Sequence, residues 1–307
     1  MVMSLMLVRP AMAEECTPSK WGADDEIGAA NLISEKTVLA AAGLIKQGKR
    51  HGLGITIKPD MPAYPPRYAK LQVVQPGQQF RETQEHALGW PLSANDDMVQ
   101  MWLGTGPQID GLGHLGEHGT FYNCNKGKDF AAMTGMTKLG IHKVPPLVAR
   151  GVMVDMARHF GVKAMQGGQA IEAEDIKAAA RAQGVRFQKG DIILLHTGYT
   201  DATLESAPEK WGATIPGISN AAAEYLATLE PVAVGADTWG VEAVPAKKGD
   251  KLFYGHVTFL KENGIYILET MNTGRLAQEK VHEFMFVLGQ AKLQGAVQMI
   301  INPIALW

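Results

Sequence analysis

Three residues able to bind a metal or transfer a proton lie in one glycine-rich segment, Gly104–His114. Within it, Gln108, Asp110 and His114 are spaced by two and four positions. Residues two apart on an extended strand share a face, so Gln108 and Asp110 can point at one place. The glycines between Asp110 and His114 allow the chain to turn and bring the imidazole there. These groups suit a divalent metal beside a proton-transfer group; the alternative is a turn that satisfies its own hydrogen bonds.

Further candidates follow apolar segments late in the chain. Glu269 ends the strand-like run Ile265–Leu268, where a charge must find a partner or leave the core. A short helix and turn after His256 would bring Glu269 back to its neighbourhood. Asp237 also ends an apolar run and is expected to orient a ligand or a backbone turn at the same rim.

Strand and helix patterns alternate along the second half of the chain. Apolar runs predict strands at 151–157, 190–196, 231–235, 264–269, 284–288 and 297–301. Helical spacing and caps predict helices at 34–46, 172–183 and 219–229. This alternation predicts an α/β core with parallel neighbouring strands, whose ends are where sites gather. Since there is no linker, repeat or low-complexity segment, we expect a single domain with a mixed sheet.

The first hundred residues carry weaker patterns. Alternation predicts a strand at 51–57, and four prolines end it as a loop over 59–66. Residues 67–100 have no clear period and are expected to form a strand and a long surface excursion. Trp90, within that excursion, either lines a pocket or simply packs.

The composition is that of an ordinary globular protein. Of 307 residues, 46% are hydrophobic and 20% are charged, and the formal net charge is −2. This balance argues against nucleic acid or an anionic membrane surface as the main partner. The chain has neither a Gly-x-Ser-x-Gly motif nor a glycine-rich phosphate loop, so a serine nucleophile and nucleotide cofactors are not implied.

The N-terminus resembles the end of a secretory signal. A mostly apolar segment leads into Ala11-Met-Ala13, a signal-peptidase pattern. Residues 1–13 are therefore expected to be a signal-peptide remnant before a domain at 14–307, and the protein to be periplasmic or secreted. The alternative is the frayed start of a cytoplasmic chain. Cys16 and Cys124 either form one disulfide or remain two free thiols.

The segment 104–114 also resembles a known signature. In the metal-dependent cyclase family, which includes bacterial kynurenine formamidase and isatin hydrolase, the signature reads His-x-Gly-Thr-His-x-Asp-x-x-x-His. Here the register falls on Gly-Thr-Gly-Pro-Gln-Ile-Asp-Gly-Leu-Gly-His, similar to a branch with Gln in place of the second His. The resemblance extends over nearly all the chain after Cys16, including Tyr122-Asn123 and Asn302-Pro-Ile304.

The resemblance implies a swivelling β/β/α fold, usually dimeric or larger, so we expect a homodimer or homotetramer. It implies that Asp110, His256 and Glu269 bind metal and that His114 transfers protons. Gly104 cannot bind metal through a side chain, and Gln108 offers only an amide oxygen. We therefore expect one Mn²⁺ or Zn²⁺ ion held by Asp110, His256, Glu269 and Gln108.

The expected activity is hydrolysis of a small carbonyl compound. A metal-activated water and His114 would cleave an amide, a cyclic amide, or a lactone or ester bond. One alternative is a catalytically silent periplasmic member that binds a small ligand, because two signature histidines are replaced. The other is a metal-dependent lyase or isomerase, in which the same groups abstract a proton beside a carbonyl.

Overall fold

A nine-stranded mixed β-sheet dominates the computed structural model, which describes residues 16–74 and 95–307. In chain order the strands of these residues are β1 (Arg50–Gly52), β2 (Ala69–Val74), β3 (Asp96–Met101), β4 (Gln108–Asp110), β5 (Ala131–Ala132), β6 (Gly135–Met136), β7 (Leu147–Asp155), β8 (Ala170–Ile171), β9 (Ile192–His196), β10 (Gly217–Ile218), β11 (Ala233–Ala236), β12 (Tyr266–Glu269), β13 (Glu283–Leu288), β14 (Gln298–Ile300) and β15 (Ile304–Leu306). The α-helices are α1 (Glu35–Ala42), α2 (Gly127–Phe130), α3 (Met156–His159), α4 (Ala173–Ala182), α5 (Tyr199–Thr203), α6 (Pro208–Ala213), α7 (Asn220–Thr228), α8 (Tyr254–His256) and α9 (Gly274–Glu279). Shorter turns are 3₁₀-helical at Gly28–Leu32, Tyr122–Cys124 and Ile141–Lys143, and π-helical at Val257–Glu262.

Four parallel strands form the centre of this sheet. Its order is β1-β15-β13-β7-β9-β11-β12-β4-β14, in which β7, β9, β11 and β12 run parallel and their neighbours antiparallel. Asp155, His196 and Glu269 therefore end their strands at one edge of the sheet, where sites gather in α/β proteins. Because β4 runs antiparallel to β12, Gln108 begins its strand at that same edge.

The predicted α/β fold with a mixed sheet is confirmed. All five residues of β9 and all four of β11 are buried, as expected of strands covered on both faces. The side chains of Ser34 and Ser219 accept hydrogen bonds from the first turns of α1 and α7, which begin where the caps predict.

Some predicted boundaries are wrong. The strand expected at 51–57 is limited to β1, because only Arg50–Gly52 pairs with β15. The strand expected at 151–157 ends at Asp155, whose side chain caps α3. Strand β15 was not predicted. The predictions for residues 1–13 and Trp90 lie outside the described residues.

A disulfide joins Cys16 to Cys124, which settles the alternative left open by the sequence. Beside it, the side chain of Asn123 accepts a hydrogen bond from the Ser19 amide and donates to the backbone oxygens of Gly22, Ala23 and Asp25. The N-terminal segment is thus fixed against the chain that follows His114. Within the described ranges, no helix has both the length and the apolar character needed to cross a membrane.

Candidate metal centre

Polar side chains from three adjacent strands meet on one face of the sheet, at its edge. In the antiparallel register, Gln108 lies opposite Glu269 on β12, and Asp110 lies opposite Gln298 on β14. Directly opposed residues share a face, and residues two apart on β4 share it as well. The register of these strands therefore brings two carboxylates and two amides together.

His256 completes this group from outside the sheet. It lies where α8 passes into the π-helical turn, a distortion that recurs at functional sites. Its Nε2 atom lies 3.2 Å from Oε1 of Glu269 and 3.5 Å from Oδ2 of Asp110. The expectation that His256 and Glu269 lie close together agrees with these distances.

The other ring nitrogen of His256 contacts Glu242. Nδ1 lies 2.8 Å from both carboxylate oxygens, and the backbone N–H of His256 donates to Oε1 at 2.7 Å. These contacts orient the ring with Nε2 toward Asp110 and Glu269. Burial lowers the pKa of His256, but the carboxylates of Glu242, Asp110 and Glu269 more than offset this effect and raise it well above its ordinary value.

Asp110 carries the clearest indication of a cation. Its Oδ1 atom accepts hydrogen bonds from Gln108 at 3.1 Å and Gln298 at 2.6 Å, whereas its buried Oδ2 atom has no hydrogen-bond partner among the described residues. Burial acts to raise the pKa of Asp110, but His114 and His256 lower it to about 2. A buried, ionised carboxylate with a free oxygen among other oxygen and nitrogen donors fits a divalent ion.

His114 lies close enough to join this group. Asp110, His114 and His256 each offer one atom within 4.8 Å of the others, and the two imidazole rings are 6.2 Å apart between centroids. Burial lowers the pKa of His114, with Asp110 opposing. His114 is therefore neutral at pH 7 and can accept a proton or bind a metal.

Gln108 uses its amide nitrogen in this arrangement. Nε2 donates to Oε2 of Glu269 at 2.6 Å as well as to Asp110, and so bridges the two carboxylates. Burial and the nearby charge of Asp110 raise the pKa of Glu269 to about 8. Gln108 would have to rotate its amide to offer oxygen to a metal, so its role as a ligand stays a prediction.

The comparison with known families agrees with this geometry. A model of a family described as "Putative cyclase" matches residues 52–243, which is more than half of the chain. The chain belongs to the putative cyclase family. The family expected from the segment at 104–114 is therefore confirmed, whereas the branch defined by Gln108 stays a prediction.

Solved structures of other proteins have folds similar to that of this chain. One described as a novel cyclase has a TM-score of 0.82 and 27% identity, and the match covers 94% of this chain and 98% of that one. Isatin hydrolase A from Labrenzia aggregata, bound to benzyl benzoate, has a TM-score of 0.60 and 17% identity, with 89% and 98% covered. Isatin hydrolase A from Ralstonia solanacearum has a TM-score of 0.62 and 17% identity, with 89% and 97% covered. The cyclase-like fold is thereby confirmed. No protein of curated function matches this chain.

Three residues at or beside the site were not predicted from the sequence. Glu242 lies within the apolar run Val241–Val244, where a lone acid was a usable signal. Gln298 begins a strand that was predicted, but its contact with Asp110 depends on the register of β14 on β4. Arg67 lies in the segment without a clear pattern, and its Nη1 atom donates to the Gly104 carbonyl at 2.6 Å.

Asp237 lies apart from the group around Asp110. Its Oδ1 atom accepts hydrogen bonds from the backbone N–H of Thr197 at 2.8 Å and from the Thr197 hydroxyl at 2.7 Å. It thus orients the turn that follows β9, one of the two roles expected for it. His196, at the end of β9, has its Nδ1 atom 2.8 Å from the Thr273 hydroxyl.

Proposed function

We propose that this protein is a metal-dependent hydrolase that cleaves an amide, a cyclic amide, or a lactone or ester bond in a small molecule. One observation carries the proposal. The buried Oδ2 atom of Asp110 lacks a hydrogen-bond partner within the described ranges and faces His256, whose Nε2 also lies beside Glu269. Three groups from distant parts of the chain thus converge on one point.

Asp110, His256 and Glu269 would hold the ion, and Gln108 could add an amide oxygen. Carboxylate and imidazole donors serve both Mn²⁺ and Zn²⁺, and the excess of oxygen donors favours Mn²⁺. A bound divalent ion supplies a lowered pKa for coordinated water and polarises a carbonyl group.

His114 is the proposed proton-transfer residue. Its ring lies beside Asp110 and His256, and its lowered pKa keeps it neutral and able to accept a proton at pH 7. It would take the proton from the attacking water and return it to the leaving nitrogen or oxygen. Since one atom of His114 lies within 4.8 Å of donors on Asp110 and His256, metal binding is the competing role.

A second candidate function is binding without turnover. Gly104 has no side-chain donor, and Gln108 directs its amide N–H groups at Asp110 and Glu269. A centre with so few metal ligands favours a protein that binds a small molecule without converting it. The two functions predict different results. The hydrolase binds metal and adds water to its substrate, whereas the binding protein leaves its ligand unchanged.

The deciding experiment begins with metal quantification of the purified protein. The chelated protein is then reloaded with Mn²⁺ or Zn²⁺ and incubated with formamides, cyclic imides and lactones. Hydrolysis adds one water to the product mass, whereas a lyase or isomerase does not. Asp110→Asn should abolish metal binding and turnover, and Asp129→Asn, at an exposed position, should change neither. A protein that binds no metal, or turns over equally with chelator, would overturn the proposal.

The Cys16–Cys124 disulfide supports a further proposal, that the protein works in the periplasm or outside the cell. Disulfides form and persist in oxidising compartments and are rare in the cytosol. Fractionation of cells expressing the full chain tests this proposal, and recovery in the cytoplasm with reduced cysteines would contradict it.

A further inference from the structure

Arg67 extends toward the metal centre from the turn that precedes β2. The turn is closed by a hydrogen bond of 3.0 Å from the Arg67 backbone N–H to the Tyr64 carbonyl. The half-buried guanidinium then donates through Nη1 to the Gly104 carbonyl at 2.6 Å. A side chain from outside the sheet thus reaches the start of the metal-binding segment.

Gly104 makes the space that the guanidinium fills. A Cβ atom at this position would lie 2.8 Å from Cζ and Nη1 of Arg67, and 2.8 Å from Oε1 of Gln298. Gln298 in turn donates to Asp110 at 2.6 Å. The position that lacks a histidine of the expected signature is therefore occupied by a fixed positive charge, separated from Asp110 by a single side chain.

The charge of Arg67 acts on the centre itself. Behind larger effects of burial and of neighbouring groups, it contributes to lowering the pKa of both Glu269 and His114. This positive charge favours the approach of an anion to a site that is otherwise lined by carboxylates.

We propose that Arg67 forms a carboxylate-binding subsite beside the metal centre. Among residues 16–74 and 95–307, the Arg67 guanidinium donates one hydrogen bond, to the Gly104 carbonyl, and its planar fork has further N–H donors that suit a carboxylate. The proposal rests on the hydrolase function and narrows it. The carboxylate is either one that the substrate carries beside the reacting carbonyl or the one that hydrolysis releases.

Aromatic side chains connect the turn that carries Arg67 with the metal centre. Tyr64, at the other end of the turn, packs edge-on to Phe253 at 6.0 Å between ring centroids, and Phe253 packs edge-on to His256 at 5.3 Å. A carboxylate attached to a ring combines the two kinds of group that Arg67 and these aromatic side chains suit. Benzoate is accordingly the probe, and benzamide is its neutral counterpart of the same shape.

Calorimetric titration of the Mn²⁺-loaded protein tests the subsite. Arg67→Met should weaken benzoate binding by about tenfold or more, the usual effect of losing a charge-assisted hydrogen bond, and leave benzamide binding unchanged. Arg67→Lys should recover part of the loss because it keeps the charge without the fork. Gly104→Ala should also weaken benzoate binding, since it displaces the guanidinium without removing it. Matched controls are the exposed Arg181→Met and Gly289→Ala, whose new Cβ meets open space.

Metal content, measured for every variant, separates this proposal from the hydrolase function. If the wild-type protein binds no metal, the hydrolase function fails, and the same titration of the metal-free protein still shows whether benzoate depends on Arg67. Equal benzoate affinity in wild type and Arg67→Met would overturn the subsite. With substrates that do and do not carry a carboxylate, a raised KM confined to the acidic ones assigns the subsite to the substrate. Weaker product inhibition with unchanged KM assigns it to the product.

Discussion

Nδ1 of His256 lies 2.8 Å from both carboxylate oxygens of Glu242, which leaves Nε2 to face Asp110 and Glu269. A histidine that binds metal usually donates its other ring N–H to a carboxylate or carbonyl, which fixes the tautomer and ring orientation. The pair of His256 and Glu242 has this form. Glu242 therefore orients the His256 ring so that Nε2 can bind a metal.

Glu242→Gln should lower metal affinity by about 10- to 100-fold while the protein stays folded, because the amide orients the ring less firmly. Competition with a chromophoric chelator measures the affinity, and circular dichroism verifies the fold. Glu262→Gln is the control, since Glu262 is exposed and belongs to the π-helical turn that follows His256. Unchanged affinity in Glu242→Gln would show that His256 does not depend on this contact.

Metal binding should release protons. Because the pKa of Glu269 in the folded chain is about 8, its carboxyl group is mostly protonated at pH 7, and an incoming ion must displace that proton. Metal affinity should therefore rise as the pH increases from 6 to 8. Calorimetry in two buffers of different ionisation enthalpy counts the protons released. Metal binding at pH 7 without proton release would contradict this expectation.

The raised pKa of Glu269 also makes the stability of the metal-free protein depend on pH. The folded-state pKa of Glu269 lies above its ordinary value of 4.5, so the folded state binds the proton more tightly than the unfolded state. This contribution to stability is complete below pH 4.5 and is lost as the pH rises through about 8. The Tm of the metal-free protein should fall over this interval. In Glu269→Gln the fall should be smaller, and an unchanged slope would rule out Glu269 as its cause.

His114→Ala should retain metal and lose turnover by at least about 100-fold, the range expected when a general acid–base group is removed. The control is His118→Ala, because His118 is exposed and lies only four positions away. Metal quantification and single-turnover assays measure the two effects separately. Loss of metal in His114→Ala would instead place the residue among the ligands, the role that its distance from Asp110 and His256 also permits.

The sequence predicted those parts of the fold that local pattern determines. Strands β9 and β11 read as apolar runs because both of their faces are covered, and α7 begins at its serine cap. Glu269 could be found because a charge at the end of an apolar strand needs a partner, and Asp110 because it lies at strand spacing from Gln108 in a glycine-rich segment. The sequence left open whether Cys16 and Cys124 form a disulfide or two free thiols, because the presence of two cysteines does not reveal their redox state.

The remaining parts of the site depend on contacts between segments far apart in the chain. Gln298 meets Asp110 only through the register of β14 on β4. Arg67 reaches Gly104 from a segment without periodicity, and nothing local links them. Strand β1 is shorter than its alternating pattern because it pairs with β15 over three residues, Arg50–Gly52.

Removal of the disulfide should destabilise the protein without altering the metal centre. Cys16 and Cys124 are 108 positions apart, so the bond restricts a long loop of the unfolded chain, and its loss should lower the free energy of unfolding by about 2–5 kcal/mol. Urea unfolding of Cys16→Ser and of the double serine variant measures the loss, and reductant should reproduce it in wild type alone. Metal affinity should stay unchanged, because no candidate ligand lies in the segment that Cys16 anchors. If both variants unfold at the wild-type urea concentration, the hydrogen bonds of Asn123 alone hold this segment in place.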